Sequence, residues 1–538
     1  MFSDLRSLET GSEFEADICV VGSGPAGISL AMEFIGTPTR VLLVESGGFE
    51  PEVETQALYE GPNLGLPYFD LSTARVRCFG GSSNHWDNWC GELTEIDYRR
   101  RDWVPYSGWP MTAEQMAPFY ARARPLCGIG KARPDAAIWQ DLRTGPLPMD
   151  PAYLDHRFWE FGGPTRFGNV YRARLERAEN VRVLLHANAT EVQTDASGRN
   201  VTGMALQTLE GKRATVRARR YVLACGGIDN ARLLLASNKI ERQGVGNRRD
   251  LVGRFFMEHT VDTLGTVLTQ DPHALISRYG STWVGKVGYT AGLALSDAAQ
   301  EREKLLGCSF MLGYSAKGDA INTLKRMAKT LKTGRVPDRM AADLWSVVED
   351  VDMLAYNVYR RQWLGLPLLP KAEHLERIHL VSHNEQEPNP DSRVTLADEK
   401  DALGMPCAAL DWRTTALDKR SAVYFAEAIG AEMARVGAGV FRLEPWLEDS
   451  SDAWSEGLIG GFHHIGTTRM AENETQGVVD PNCRVHNVEN LYIAGSSVFP
   501  TSANINPTLT LVALALRLAD HLKISPPRSV SADLGSPT

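Results

Sequence analysis

A glycine-rich turn near the start of the sequence restricts the possible fold more than any other feature. The turn Gly22-x-Gly24-x-x-Gly27 follows an apolar, β-branched run at residues 17–21 and precedes an apolar segment of helical character at 25–35. Residues 40–44 have the composition of a second buried strand. This order of strand, turn, helix and strand predicts a β-α-β unit within a parallel sheet.

The same turn predicts a ligand. The first glycine permits the tight turn, the second lets the backbone approach a pyrophosphate, and the third lets the helix pack on the sheet. Free N–H groups and the helix dipole favour negative charge at the helix N-terminus. Glu45 ends the second strand, where its carboxylate can accept hydrogen bonds from a ribose. These residues predict a dinucleotide, without deciding between FAD and NAD.

Composition excludes several classes of protein. A chain of 538 residues is too long for one core, so at least two domains are expected. A net charge of -9 without a long basic tract argues against nucleic acid as a partner. The eight cysteines show no Cys-x-x-Cys pair, which is typical of reduced thiols and gives no iron–sulfur or haem pattern. No metal site is expected.

The sequence shows no basic segment followed by an apolar one at Met1, and it has no apolar run of about 18 residues. We therefore expect a cytoplasmic protein without a transmembrane helix. Export together with a partner subunit that carries its own signal would leave no trace in this sequence.

Further elements are predicted along the chain. Buried strands are expected at 181–185, 221–224 and 491–494, and helices at 231–236 and 508–522. Alternating segments within 262–289 and 377–396 are typical of antiparallel strands. The stretch 317–361 is helical in character and carries Lys325, Arg326, Lys329 and Lys332 on roughly one side. That side is either a solvated face or a docking site for an anionic partner or membrane surface.

Polar residues gather in two more places. A second glycine turn, Gly80-Gly81-Ser82-Ser83-Asn84-His85, offers small residues and backbone donors to a phosphate or a flat ring. Near the C-terminus, His463 and His464 precede a Gly-Thr turn, and an Asn506-Pro507 pair precedes a buried helix. One histidine alone is more often a packed residue than a catalyst, but this density of polar residues indicates a site.

These segments resemble the glucose-methanol-choline (GMC) oxidoreductase family. The matching signatures are the first glycine motif with Glu45, the Gly80-Gly81 turn, the stretch 222–237 and the C-terminal block. The stretch 385–396 is similar to a strand signature of the family's substrate domain, so the likeness covers roughly residues 15–522. The resemblance implies FAD as the cofactor. The motifs at 463–470, 493–500 and 506–510 most resemble the branch of pyranose oxidase and the fructose dehydrogenase large subunit. The choline-dehydrogenase branch fits less well, since Gly495 replaces an aspartate of that branch.

The resemblance also implies residue roles. The family's catalytic histidine falls on His463, which would take the hydroxyl proton as hydride leaves for the flavin, and the second catalytic position falls on Asn506. His464 would point elsewhere in an extended segment. The expected FAD contacts are Gly22, Gly24, Gly27, Glu45, Gly80, Gly81, Ser82, Asn84, His85, Val192, Gly495 and Asn506.

Two of these expectations carry an alternative. Some family members attach FAD covalently through a histidine at the position of His85, whereas the other interpretation is that His85 only packs near the flavin. Val192 is expected beside the adenine, and the other interpretation is a simple core valine.

The expected fold is α/β. A Rossmann-like FAD-binding domain at 1–257 and 457–525 would be joined by a substrate domain at 258–456, built on an antiparallel sheet covered by helices, with a disordered tail at 526–538. The implied activity is oxidation of a CH–OH group of a sugar, glycoside or polyol. The alternatives are a non-sugar alcohol, a lyase of the same fold that uses FAD without net redox, and a non-catalytic flavin-binding protein. The electron acceptor, whether oxygen, a quinone or a partner protein, is left open.

Overall fold

A computed structural model describes residues 1–163, 165–316 and 375–524, together with scattered helical residues between 323 and 359. Lys325, Arg326, Lys329 and Lys332 lie outside the described residues, as does the tail at 526–538. In the part of the chain that the structure describes, no helix is both long and apolar enough to cross a bilayer.

The strands of the described residues, in chain order, are β1 (Phe2–Asp4), β2 (Ser12–Val21), β3 (Val41–Val44), β4 (Trp89–Cys90), β5 (Leu154–Phe161), β6 (Val181–Leu185), β7 (Asn188–Thr194), β8 (Val201–Gln207), β9 (Arg213–Leu223), β10 (Thr260–Val261), β11 (Thr263–Leu268), β12 (Thr282–Val284), β13 (Val287–Leu295), β14 (Cys308–Ala316), β15 (Leu375–Asn384), β16 (Arg393–Lys400), β17 (Pro406–Asp411), β18 (Val440–Leu443), β19 (Ile459–Gly460) and β20 (Leu491–Ile493).

The α-helices of the same residues are α1 (Pro25–Met32), α2 (Val53–Ala57), α3 (Glu95–Tyr98), α4 (Ala113–Leu126), α5 (Asp135–Leu142), α6 (Phe167–Glu176), α7 (Gly226–Ala236), α8 (Pro272–Tyr279), α9 (Asp297–Glu303), α10 (Ala416–Arg435), α11 (Pro445–Glu448) and α12 (Thr508–Ile524). Short 3₁₀ turns occupy Leu5–Ser7, Gly81–Asn84 and Ser496–Val498.

The first sheet contains the glycine turn. Its strand order is β1-β6-β3-β2-β9-β8-β7, and β20 pairs with β9 beyond the end of β8. The pairs from β1 to β9 and the β9–β20 pair are parallel, whereas β7, β8 and β9 form an antiparallel meander. Strand β2 lies in the middle because its last residues, 18–21, are all buried and apolar. The predicted parallel sheet, built from both ends of the chain, is confirmed.

The second sheet is antiparallel, in the order β18-β11-β15-β14-β13-β5-β4, with β10, β12 and β19 added at its side. Helix α10 packs on β11, β14, β15 and β18, and its buried face carries Ala422, Phe425 and Ile429. The predicted sheet covered by helices is therefore present. Strands β4 and β5 pair within this sheet although they precede residue 258. The segment 1–257, which was expected to belong to the first domain alone, therefore contributes strands to both sheets. The domain division itself stays a prediction.

Two local expectations need correction. The predicted helix at 25–35 ends at Met32, after which single turns continue to residue 35. The predicted strands within 262–289 are interrupted by α8, where the side chain of Asp271 accepts a hydrogen bond from Ala274 N and Pro272 occupies the first helical position. Both are standard helix-start signals, and here they outweigh the alternating pattern.

Candidate active site

The predicted dinucleotide turn has the geometry that a diphosphate needs. Gly22 adopts φ +102°, and a Cβ there would meet the carbonyl oxygen of Ala224. A Cβ on Gly27 would collide with the carbonyl oxygen of Gly22, so helix and strand pack at the closest distance. A Cβ on Gly24 would instead meet nothing within 4 Å, because Gly24 faces the cavity. Among the described residues no side chain caps α1, so its first N–H groups are available to a ligand.

Glu45 joins this turn to the end of β3. Its carboxylate accepts hydrogen bonds from Ser23 N at 3.1 Å, from Ser23 Oγ at 2.5 Å and from Gly47 N at 3.0 Å. Glu45 also lines the cavity, and an ionised carboxylate has about four acceptor positions, so one remains for a ribose hydroxyl.

The second glycine turn packs directly on the first. Gly80 donates a hydrogen bond to Ser23 O at 3.0 Å, and a Cβ on Gly81 would lie 3.0 Å from the Cα of Gly24. Gly81, Ser82 and His85 line the cavity, whereas Asn84 turns inward and donates to Phe79 O at 3.0 Å. Three of the expected contacts therefore shape the two turns and do not line the cavity, namely Gly27, Gly80 and Asn84.

The cavity between the turns and the second sheet has a volume of about 630 Å³, within the usual range for small-molecule sites. Gly495, which has φ +131°, lines it together with His463 and Asn506. Val192 does not line it. Val192 is buried and its amide donates to Ser237 Oγ at 2.9 Å, while Ala187 and Ala189 form that part of the wall. The alternative interpretation, a core valine, describes its position.

Three arginines lie around one aspartate on the wall of the same cavity. Arg75, Arg77 and Arg232 surround Asp229 at 3.4 to 3.9 Å, and Arg232 also pairs with Asp401 at 2.6 Å. The Nε atoms of Arg75 and Arg77 are buried and have no acceptor among the described residues. Unpaired guanidinium donors beside a helix N-terminus suit an anionic ligand, and with the open face of Gly24 they fit the diphosphate of FAD.

The predicted catalytic pair lies together on the cavity wall. Asn506 Nδ2 is 3.3 Å from His463 Nε2, although the two residues are 43 positions apart. Burial lowers the pKa of His463 well below its ordinary value, and the nearby rings of His259, His383 and His464 lower it further. The imidazole is therefore neutral at neutral pH, as a base requires.

His464 has different partners, as the alternation of side chains predicts. Its Nε2 is 2.9 Å from the hydroxyl of Tyr68, and burial lowers its pKa to about 3. His464 is thus neutral and bonded to Tyr68, although it also lines the cavity.

Two residues next to His463 were missed by sequence reasoning. The carboxylate of Glu258 accepts hydrogen bonds from the backbone N–H of His463 at 2.9 Å and of Gly461 at 3.0 Å, and from the hydroxyl of Tyr68. Burial raises the pKa of Glu258 to about 7. His259 Nδ1 lies 2.7 Å from His463 Nδ1. The available signal was two adjacent ionisable residues, Glu258 and His259, directly after the apolar run 255–257.

One cluster bears on the expectation that no metal is bound. A ring nitrogen from each of His259, His383 and His463 lies within 4.8 Å of the others. Two nitrogen ligands of tetrahedral zinc, each bound at about 2.0–2.1 Å, lie about 3.3 Å apart. The 2.7 Å between His259 and His463 is therefore the length of a hydrogen bond rather than of a shared metal site.

Comparison with known proteins agrees with this geometry. Residues 17–247 match the model of the FAD dependent oxidoreductase family, and residues 388–515 match that of the GMC oxidoreductase family. The chain is 24% identical to 6'''-hydroxyparomomycin C oxidase of Streptomyces lividus, over 94% of this chain and 92% of that protein. It is 22% identical to the fructose dehydrogenase large subunit of Gluconobacter japonicus, over 94% and 97%.

A solved structure supports the fold. Pyridoxine 4-oxidase from Mesorbium loti superposes with a TM-score of 0.57 at 16% identity, over 95% of this chain and 100% of that one. The glycine turns, the two sheets and these matches together show that the chain is an FAD-dependent oxidoreductase with a GMC oxidoreductase C-terminal domain at residues 388–515.

Proposed function

We propose that this enzyme oxidises a CH–OH group of a sugar, glycoside or polyol, with His463 as the base. The observation that carries the proposal is the placement of His463 Nε2 and Asn506 Nδ2 3.3 Å apart on the wall of the cavity that both glycine turns line. The two side chains are close enough to contact one substrate oxygen.

The proton chemistry follows from the two side chains. His463 Nε2 takes the hydroxyl proton, which is possible because the buried ring is neutral at neutral pH and has a free lone pair. Asn506 donates a hydrogen bond from Nδ2 to the substrate oxygen as that oxygen gains negative charge, without adding a charge of its own. Bound FAD supplies the hydride acceptor.

The residues that would hold FAD are those that fit a dinucleotide. The turn at Gly22 and Gly24 and the N-terminus of α1 would bind the diphosphate, and Glu45 would bind a ribose. Gly81 and Ser82 would lie against the cofactor from the other side of the cavity.

The substrate class rests on two kinds of support. The fructose dehydrogenase subunit and the paromomycin-type oxidase both carry names of sugar-containing substrates. Trp86 and Trp89 line the cavity, and a flat aromatic face suits the apolar face of a sugar ring.

The test is anaerobic addition of sugars, glycosides and polyols to the purified protein, followed by its flavin absorbance. Bleaching with one class would support the proposal, and recovery of colour in air would identify oxygen as an electron acceptor. If only aromatic or aliphatic alcohols bleach the flavin, the sugar assignment is wrong. If no alcohol does, the lyase or non-catalytic alternatives replace it.

Two controls sharpen this test. His463→Gln should lose bleaching, whereas the neighbouring His464→Gln should keep most of it, because His464 bonds to Tyr68 rather than to Asn506. Acid denaturation then separates the two interpretations of His85. Flavin in the supernatant indicates packing, and flavin that stays on the polypeptide indicates a covalent bond.

A further inference from the structure

His259 lies directly behind the proposed base and is completely buried. Its Nε2 is 3.1 Å from the carbonyl oxygen of Ser502 and 2.9 Å from that of Ala503. Its Nδ1 is 2.7 Å from Nδ1 of His463. Both ring nitrogens of His259 are therefore engaged, and each has a different kind of partner.

These contacts determine where the hydrogens lie. A carbonyl oxygen can only accept, so Nε2 of His259 must carry a hydrogen. Burial lowers the pKa of His259 to about 4, so the ring is neutral and its Nδ1 has only a lone pair. Nδ1 of His463 must then donate to it. The lone pair of neutral His463 consequently lies on Nε2, the atom that faces Asn506.

We infer that His259 is a positioning residue that fixes His463 in the tautomer with its basic lone pair on Nε2. The inference rests on the proposed function of His463. When Nε2 takes the substrate proton, the electron pair of the O–H bond stays on the substrate oxygen, and no proton moves to His259. The ring of His463 then becomes cationic, so its Nδ1–H donates a stronger hydrogen bond to His259 Nδ1.

The segment that carries Asn506 also orients His259. Ser502 and Ala503 accept from His259, and the next carbonyl, that of Asn504, lies 3.2 Å from Nδ1 of His383. The His383 ring packs at 4.3 Å from the His259 ring, centroid to centroid. Glu258, the residue before His259, holds the backbone N–H of His463. The segment 502–506 and the dipeptide 258–259 thus position His463 and Asn506 together.

Besides His259, none of the charged and titratable groups nearby makes a hydrogen bond to Nδ1 of His463 among the described residues. His383 donates its own Nδ1–H to a carbonyl and leaves its Nε2 without a partner, and Glu258 is occupied by backbone N–H groups and Tyr68. Glu385, also nearby, is held by Arg101. Without His259, Nδ1–H of His463 would lose its only acceptor among the described residues, and the tautomer with the hydrogen on Nε2 would compete.

The experiment compares His259→Leu with His259→Asn in the FAD-loaded enzyme. Leucine removes the acceptor, whereas the Oδ1 atom of asparagine lies close to the position of Nδ1 and can accept from His463. With a saturating substrate of the class that bleaches the flavin, His259→Leu should slow flavin reduction by about 10- to 100-fold, part of what a general base contributes. KM should change little, and His259→Asn should recover most of the rate.

A matched control removes a similar histidine elsewhere. His156→Leu deletes a partly buried ring on β5 of the second sheet, away from the cavity, whose Nε2 is 3.0 Å from the hydroxyl of Tyr279 at the end of α8. FAD content is measured for all variants. Equal rates in the leucine and asparagine variants, or an equal loss in His156→Leu, would overturn the inference. So would stoichiometric zinc that is present in the wild type and absent from His259→Asn, because the histidines would then be metal ligands.

A second readout does not depend on turnover. In the holoenzyme labelled with ¹⁵N-histidine, the signals lost in His463→Ala should report a protonated Nδ1 and an unprotonated Nε2 at neutral pH. In His259→Leu the two nitrogens should move toward the opposite tautomer. If no alcohol bleaches the flavin but this tautomer is found, the proposed function fails while the positioning geometry stands. The opposite tautomer in the wild type would refute the positioning role directly.

Discussion

Replacing Gly24 with alanine should weaken cofactor binding without disturbing the protein itself. Gly24 has φ -70° and ψ -174°, values that alanine adopts freely, and a Cβ there would meet no atom of the described residues within 4 Å. The added methyl would instead enter the cavity where the diphosphate is proposed to lie. Gly27→Ala is the matched control, because that Cβ would collide with the carbonyl oxygen of Gly22.

The size of the effect follows from the contacts that the methyl group would displace. Losing one charge-assisted hydrogen bond from the turn costs about 1.5–3 kcal/mol, or about a 10- to 150-fold weaker Kd for FAD. Gly27→Ala should instead lower the free energy of unfolding by about 1–3 kcal/mol, as overpacking does.

FAD affinity is measured by titrating the protein after its flavin has been removed, and stability by denaturant unfolding of the same sample. Gly24→Ala should change the first quantity and leave the second unaltered. Wild-type FAD affinity in Gly24→Ala would refute the placement of the diphosphate at this turn. Loss of stability in that variant would refute the claim that Gly24 faces open space.

Three further predictions concern the base and a buried ion pair. His463→Ala should slow flavin reduction by about 10²- to 10⁴-fold at unchanged FAD content, as stopped-flow absorbance would show. Because the pKa of His463 is lowered, the base keeps its lone pair as pH falls, so the rate of flavin reduction should begin to decrease only below pH 6.5. A decrease near pH 7 that disappears in Glu258→Gln would instead assign the titration to Glu258. Arg101 donates to the buried carboxylate of Glu385 at 2.8 Å, so Arg101→Met should cost about 3–5 kcal/mol in urea unfolding, and adding Glu385→Leu should restore most of it. Failure of the second substitution to restore stability would contradict this account.

The sequence predicted the parts of the fold that depend on neighbouring residues. The turn at Gly22, the acid at Glu45 and the strands at 181–185 and 491–493 follow from local composition, and the structure contains all of them. The helix α8 was also encoded locally, by Asp271 and Pro272, but the alternating residues around it masked that signal.

The candidate site was predictable only in part. His463 and Asn506 were identified by resemblance, and their meeting in space depends on how the segment before α12 packs. Glu258 and Tyr68 bond to each other across 190 positions of sequence, so no local pattern reveals the pair. The position of Val192 could not be inferred either, because it depends on the contact between β7 and the residue that follows α7.

The late position of β20 and α12 in the chain has a consequence for biosynthesis. Strand β20 extends the parallel sheet beside β9, and α12 packs against α1 and α4, so the cavity lacks one wall until residues 491–524 have left the ribosome. At about 5–20 residues per second, translation reaches them roughly half a minute to a minute and a half after the glycine turn. A nascent chain would therefore expose an incomplete nucleotide cleft for most of its synthesis.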